Sequence, residues 1–319
     1  MSSVLVVGGA GYIGGITTDM LIEKGHTVTV YDNLLYENRF LKNCDFLFGD
    51  IRDTDRLLAI QKKYDHIIWL AAIVGDGACA QSPELTTEIN VNSLKRFLIN
   101  SKRRVIFTST CSVYGAQNGI LNEGSSTKPL SLYASTKLEA EKYVLDNDGL
   151  VFRLGTLFGI GDHFSRIRLD LVVNILTLRA MLYRKVTVFG GEQWRPIIAV
   201  KDVAGYLLES ITRPYNEIYN LKYENVIILE LAKRIKSVFP DIEIEQTALS
   251  FEDLRNYQVD SSKVQRDFIY KPKVSVEEEV NRMKLLFNEH RIKNVNDDIY
   301  YNTRHIESVI KNGGDGIVG

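Results

Sequence analysis

The sequence predicts an α/β fold: a doubly wound parallel sheet followed by a smaller mixed α/β C-terminal domain. Three observations predict it. Through the first half, short apolar runs alternate with amphipathic helical stretches, the pattern of βαβ units whose sheet is covered on both faces. A glycine-rich turn, Gly8-Gly9-Ala10-Gly11-Tyr12-Ile13-Gly14, joins the first apolar run to the first helix. After Gly161 the alternation loosens, and a chain of 319 residues leaves room for a companion domain.

The elements follow in order. Val4–Val7 reads as the first strand and Tyr12–Lys24 as its helix, closed by Gly25. Thr27–Tyr31 and Phe46–Phe48 are the next strands, the latter ending before Gly49-Asp50. Asp55–Tyr64 is helical, His66–Leu70 is a buried strand, and Pro83–Asn100 is a long helix. Val105–Thr108, the helix Leu132–Leu145 and the strand Leu150–Arg153 complete the first half. Beyond Gly161, Leu171–Leu182 reads as a helix and Val186–Phe189 as a strand returning to the main sheet. Asp202–Ile211 and Ile228–Val238 are helical, and Ile242–Gln246 is a strand. The polar tail 306–319 is expected to be flexible.

Composition narrows the partners. A net charge of −1 gives no broad basic surface for nucleic acid or anionic lipid. Cys44, Cys79 and Cys111 stand far apart, with no CxxC pair, which suits a reducing cytosol and offers no metal site. The first residues carry no signal-peptide pattern and no apolar run reaches membrane-spanning length, so a cytoplasmic protein without membrane contact is expected.

The glycine turn gives the sheet its function. Gly8 permits a tight turn, Gly11 lets backbone N–H groups approach a pyrophosphate, and Gly14 allows close helix-to-strand packing. The helix N-terminus then stabilises the phosphate charge. Asp32, 18 residues beyond Gly14, ends the second strand where a carboxylate binds the adenosine ribose hydroxyls and repels a 2′-phosphate. The reading is a Rossmann-type sheet that holds NAD rather than NADP. The dinucleotide domain is expected over 1–161 plus about 186–221, and the substrate domain over about 162–185 plus 222–305.

Tyr133 and Lys137 stand four apart in Ser131-Leu-Tyr-Ala-Ser-Thr-Lys137, so on a helix they share one face. An ammonium beside a phenol stabilises the phenolate, which suits proton transfer with a sugar hydroxyl while a nicotinamide exchanges hydride. Thr110 ends a strand at the carboxyl edge of the sheet, where ligands of open α/β folds bind.

Taken in order, these motifs resemble the extended short-chain dehydrogenase/reductase family, in its nucleotide-sugar epimerase/dehydratase branch. They are GGAGYIG at 8–14, Asp32, Gly49-Asp50-Ile51-Arg52, Leu70-Ala71-Ala72, Asn90-Val91-Asn92, Phe107-Thr-Ser-Thr-Cys-Ser-Val-Tyr-Gly115 and Tyr133-Ala-Ser-Thr-Lys137, and the resemblance spans roughly 3–290. It implies Thr110, Tyr133 and Lys137 as the catalytic three. It implies a cofactor set of Gly8, Gly11, Tyr12, Ile13, Gly14, Asp32, Asn33, Asp50, Ile51, Leu70, Ala71, Ala72, Asn90 and Thr108, with Tyr133 and Lys137. Asp50 and Ile51 would hold adenine, and Asn90 would steady the central strands.

The resemblance also implies a nucleotide-diphosphate sugar as substrate. Arg195 and Arg255 match arginines that clamp its diphosphate. Ala199 stands where relatives often carry His. Val74, in Val74-Gly-Asp-Gly-Ala-Cys-Ala80, would line the sugar pocket, and a second stretch, 166–174, would enter the nucleotide domain, its Arg168 and Asn174 either contacting sugar or phosphate or forming a solvated helix start. Both stretches are similar to those of nucleotide-heptose C4 dehydrogenases of polysaccharide assembly. The 4,6-dehydratases carry Asp-Glu after the catalytic threonine, whereas this chain has Cys111-Ser112; Ser112 is expected to face the substrate, and Cys111 to face it or to pack. Redox at C4 is therefore expected, as a 4-epimerase or a C4 dehydrogenase. The alternatives are a 4-keto-sugar reductase, a dehydratase using Cys111, and a non-catalytic NAD-binding regulator, the last opposed by the intact three. Helices 83–100 and 132–145 pair in relatives, so a homodimer is expected.

Overall fold

A computed structural model describes residues 1–312 other than 38, 102, 163, 164, 214, 215 and 249–255. In chain order the first half forms β1 (Ser3–Val7), α1 (Tyr12–Glu23), β2 (Thr27–Asp32), β3 (Asp45–Phe48), α2 (Thr54–Ile60), β4 (His66–Trp69), α3 (Asp76–Ala80), α4 (Pro83–Thr87), α5 (Ser93–Asn100), β5 (Val105–Thr110), β6 (Ile120–Leu121), α6 (Leu132–Leu145) and β7 (Leu150–Leu154). The second half forms β8 (Thr156–Phe158), α7 (Val172–Tyr183), β9 (Lys185–Phe189), β10 (Trp194–Ala199), α8 (Val200–Ser210), β11 (Ile218–Leu221), β12 (Glu224–Ile227), α9 (Ile228–Val238), β13 (Glu243–Thr247), β14 (Gln258–Val259), α10 (Ser262–Asp267), α11 (Val276–Asn288) and α12 (Asn302–Lys311).

Seven strands make the main sheet in the order β11-β7-β5-β4-β1-β2-β3, each neighbour parallel. Strand alternation sends Leu5 and Val7 to a core with Trp69, Phe97, Ala140 and Val144. It sends Val4 and Val6 to the opposite core, with Leu21, Val30, Phe152 and Tyr206. The sheet is thus covered on both faces, as its continuous apolar runs require. The chain steps outward from β1 to β3 and then returns to β4 beside β1. This reversal leaves a crevice beyond the carboxyl ends of β1 and β4, the usual ligand position in open α/β sheets.

The second core lies over that crevice. Val186 and Val188 of β9 pack with Phe158, Val173, Leu231, Ile235 and Val280. Here the sequence reading needs correction: β9 does not return to the main sheet but pairs in parallel with β13. The edge position beside β7 is taken by β11 instead. β10 pairs with β8 and β12 in a three-stranded sheet.

Two further expectations change. Residues 83–100 are helical but pass through a π-helical turn at Glu88–Asn92. Residues 306–311 are not a loose tail: α12 buries Ile306 completely within the core on the α6 side of the sheet, and 313–319 lie outside the described residues. Among the described residues no helix is long and apolar enough to cross a membrane.

Candidate active site

A cavity of about 700 Å³ opens at the crevice, bounded by the glycine turn, β2, β4, β5, α6 and the second core. The glycine turn fits by having no side chains. Gly8 holds φ +82°, and a Cβ there would meet the Ala71 nitrogen at 2.4 Å. A Cβ at Gly14 would meet the Gly8 carbonyl oxygen at 2.4 Å. Helix α1 starts at Gly11 without a side-chain cap, so its first N–H groups are open to an anion. Gly8, Gly11, Tyr12, Ile13 and Gly14 all line the cavity.

Asp32 sits at the cavity wall with its carboxylate fixed by the Ala10 N–H at 3.0 Å and the Leu34 N–H at 2.7 Å. Burial raises it above the ordinary carboxylate range. Asn33 donates to Asp50 (3.1 Å), which also receives Arg52 at 2.8 Å. Asn33, Asp50, Ile51, Leu70, Ala71, Ala72 and Thr108 line the same cavity. Asn90 stays behind it, bonded to both backbone groups of Ile73 at 2.8 and 3.0 Å. The open helix end, the glycine cradle and the Asp32 carboxylate together fit a dinucleotide.

Helix α6 carries two of the three residues expected to be catalytic. Ser131 caps it by accepting from the Ala134 N–H at 3.2 Å, and its hydroxyl donates to Asp76 at 2.6 Å. Tyr133 and Lys137 line the cavity one turn apart. The buried Lys137 ammonium donates to the Thr108 carbonyl at 3.0 Å and lies 4.6 Å from the Phe107 ring centre. Burial pulls this amine down to about 8. Thr110 ends β5 on the same wall; its oxygen accepts from the Ser112 N–H at 3.1 Å, leaving the hydroxyl proton to donate.

Beneath α6 lies a buried ion pair, Arg153 to Glu141 at 2.6 Å. Arg153 also donates to the Tyr114 hydroxyl (3.0 Å), which donates to Asn220 (2.8 Å). This network ties α6 to β7 and β11.

The remaining substrate candidates divide. Val74, Ser112, Arg168 and Arg195 line the cavity, as do Phe189 and Tyr257. Cys111 does not line it: the side chain is fully buried, its thiol donates to the Arg153 carbonyl (3.2 Å), and burial raises its pKa far above the ordinary range. Asn174 is also fully buried and clamps the Gly159 backbone and the Arg168 carbonyl (2.7 Å) instead of facing the cavity. Arg255 lies outside the described residues. Sequence reasoning missed Tyr36, Asp76, Arg166, Arg179, Asn302 and Thr303, all at the wall. Only the Gly75-Asp76-Gly77 break offered a local signal, since Asn302 meets Val74 across most of the chain.

The model of the NAD dependent epimerase/dehydratase family matches residues 4–221. A UDP-glucose 4-epimerase of Halalkalibacterium halodurans is 36% identical over 148 residues, which are 44% of this chain and 44% of that relative. This chain therefore spans less than half the length of that curated relative. A Bacillus subtilis protein described as an uncharacterized UDP-glucose epimerase is 28% identical over 307 residues, covering 86% of this chain and 94% of its own. The solved UDP-glucose 4-epimerase of Thermotoga maritima with UDP-glucose superposes with a TM-score of 0.79 at 26% identity, over 91% of this chain and 99% of the other. Because the family model spans more than half of the residues, this chain belongs to the NAD dependent epimerase/dehydratase family, and NAD is its cofactor.

Proposed function

We propose that this chain oxidises and reduces C4 of a nucleotide-diphosphate sugar, as a 4-epimerase or a C4 dehydrogenase. One observation carries the reading. Thr110, Tyr133 and Lys137 share a wall of the cavity that begins at the glycine turn. NAD, when bound, supplies the hydride acceptor and donor. Gly11–Gly14 and Asp32 would hold it, and Lys137 lies at its reactive end.

The chain's own groups move the proton. Tyr133, as phenolate, takes the proton of the C4 hydroxyl. The neighbouring Lys137 ammonium stabilises the negative phenolate oxygen, and Thr108 fixes that ammonium through its carbonyl. Thr110, held by Ser112, donates its hydroxyl to the same sugar oxygen. Arg195, a buried residue of β10 that lines the cavity, is suited to the substrate diphosphate. Cys111 is packed away from the cavity, so a dehydratase route through its thiol gains no support.

An epimerase retains the ketone in the pocket until it is reduced on the other face; a dehydrogenase releases it. Incubation with UDP-, GDP-, CDP- and dTDP-sugars in deuterated water tests the assignment. The expected product is an inverted or oxidised C4 with no solvent deuterium. Deuterium at C5 would contradict C4 redox.

A further inference from the structure

The cavity has a roof that the functional reading leaves unused. Residues 166–170 cross it between the second core and the C-terminal segment 299–303. Arg166 donates to the Ile299 carbonyl at 2.7 Å and to the Asn302 side chain at 2.6 Å. The Leu169 N–H reaches the Tyr300 carbonyl at 2.9 Å. Asn302, 3% exposed, also donates its N–H to Asp170 (2.9 Å) and its side-chain amide to the Val74 carbonyl (2.9 Å). One buried asparagine therefore joins three segments of the rim. The start of α12 packs closely on α3, since a Cβ at Gly77 would meet the Thr303 hydroxyl at 2.6 Å.

The roof presents two guanidiniums to the cavity, Arg166 and Arg168, each 8% exposed. Arg168 is paired with Asp170 at 3.0 Å. The Arg166 Nε has no partner among the described residues, and neither has the buried Tyr36 hydroxyl beside it. Glu37, held up to about 7 by burial, is only partly ionised at neutral pH. The roof thus carries more positive than negative charge, with a buried donor unsatisfied, which an anion would correct.

Position identifies that anion. Arg168 lies over the Tyr12 ring (5.8 Å) and Arg166 over the Tyr36 ring (4.2 Å). Tyr12 belongs to the glycine turn and Tyr36 follows β2, both on the dinucleotide side, whereas Arg195 belongs to β10 of the three-stranded sheet. Resting on the assignment of the glycine turn to NAD, we propose that Arg166 and Arg168 form a subsite for the coenzyme's diphosphate and that Asn302 latches them over it. Arg168 is thereby moved from the sugar nucleotide to the cofactor, and the coenzyme leaves only when the roof opens.

The test uses the full chain. Arg168→Met is expected to weaken ADP-ribose by at least about tenfold, the loss of a charge-assisted contact, while leaving adenosine unchanged. Asn302→Ala is expected to speed release of prebound NADH, chased with excess NAD, by about tenfold or more. A variant-independent check is hydrogen exchange at 299–303, which is expected to slow with ADP-ribose and not with UDP. Protection by UDP alone, or an Arg168→Met effect confined to the nucleotide-sugar KM, overturns the proposal and returns the arginines to the other diphosphate. Unchanged ADP-ribose affinity with unchanged NADH release overturns it as well. A wild-type chain that binds neither NADH nor ADP-ribose would instead overturn the functional reading itself.

Discussion

Lys137 shows what a single buried charge does. Its amine is removed from water, so the neutral form is favoured and the folded-state value falls to about 8. Between there and the ordinary lysine value of about 10.4, the unfolded chain binds more protons than the folded one. Stability therefore rises with pH across that window, and the burial cost is fully present below it. Thermal unfolding of wild type against Lys137→Met should show wild type gaining relative stability from pH 8 upward; a flat difference would contradict it. In the proposed mechanism the same charge also favours the phenolate of Tyr133. In Lys137→Met the rise of rate with pH should shift to higher pH. Tyr133→Phe should keep the coenzyme and lose turnover by about 10²–10⁴-fold, the usual contribution of a positioned acid–base group. Normal turnover in that variant would remove Tyr133 as the base. Of the residues at this scale, Gly8, Gly11, Gly14, Asp32, Thr110, Tyr133 and Lys137 could be singled out because each stands in a local motif, and all of them line the one cavity. Asn174 was misread, and the choice between a packed and a substrate-facing Cys111 stayed open, because burial depends on what packs above a residue.

Helix α6 was legible to both ends because its signals are local: Ser131 caps the start and polar residues follow Leu145. What fixes it in place was not. Glu141, one turn beyond Lys137, meets Arg153 of β7, and both are nearly inaccessible. Removing one partner leaves the other charge buried and unpaired. Glu141→Ala is expected to cost about 3–5 kcal/mol in denaturant unfolding. A loss below about 1 kcal/mol would show that the network is solvated. The π-helical turn at Glu88–Asn92 also escaped the pattern, since its apolar spacing passes for ordinary helix. β9 was misplaced for a related reason. Its alternating Val186 and Val188 define a buried face but carry no information about which sheet buries it.

At the scale of the molecule, the main sheet was readable because its βαβ units follow one another and its central strands are buried along nearly their whole length. The cavity was only half readable. Its floor comes from consecutive motifs between Gly8 and Lys137, while its roof joins Arg166 and Arg168 to Asn302, contacts that no local period announces. Closure of one roofed cavity over the coenzyme couples occupancy to folding. Saturation with NAD at about a hundred times Kd should add about 2.7 kcal/mol to unfolding, and coenzyme removal should lower Tm accordingly. No shift on removal would place the dinucleotide outside the folded core.

The central claim, that Tyr133 opens redox at C4 within this cavity, is tested most directly by mixing the NAD-loaded protein with nucleotide sugars deuterated at C4 and following reduced-nicotinamide absorbance. The wild type should reduce its coenzyme, more slowly with deuterium at C4, and Tyr133→Phe should bind the same sugar without the signal. Undiminished reduction by Tyr133→Phe, or slowing only by deuterium at C5, would contradict the account.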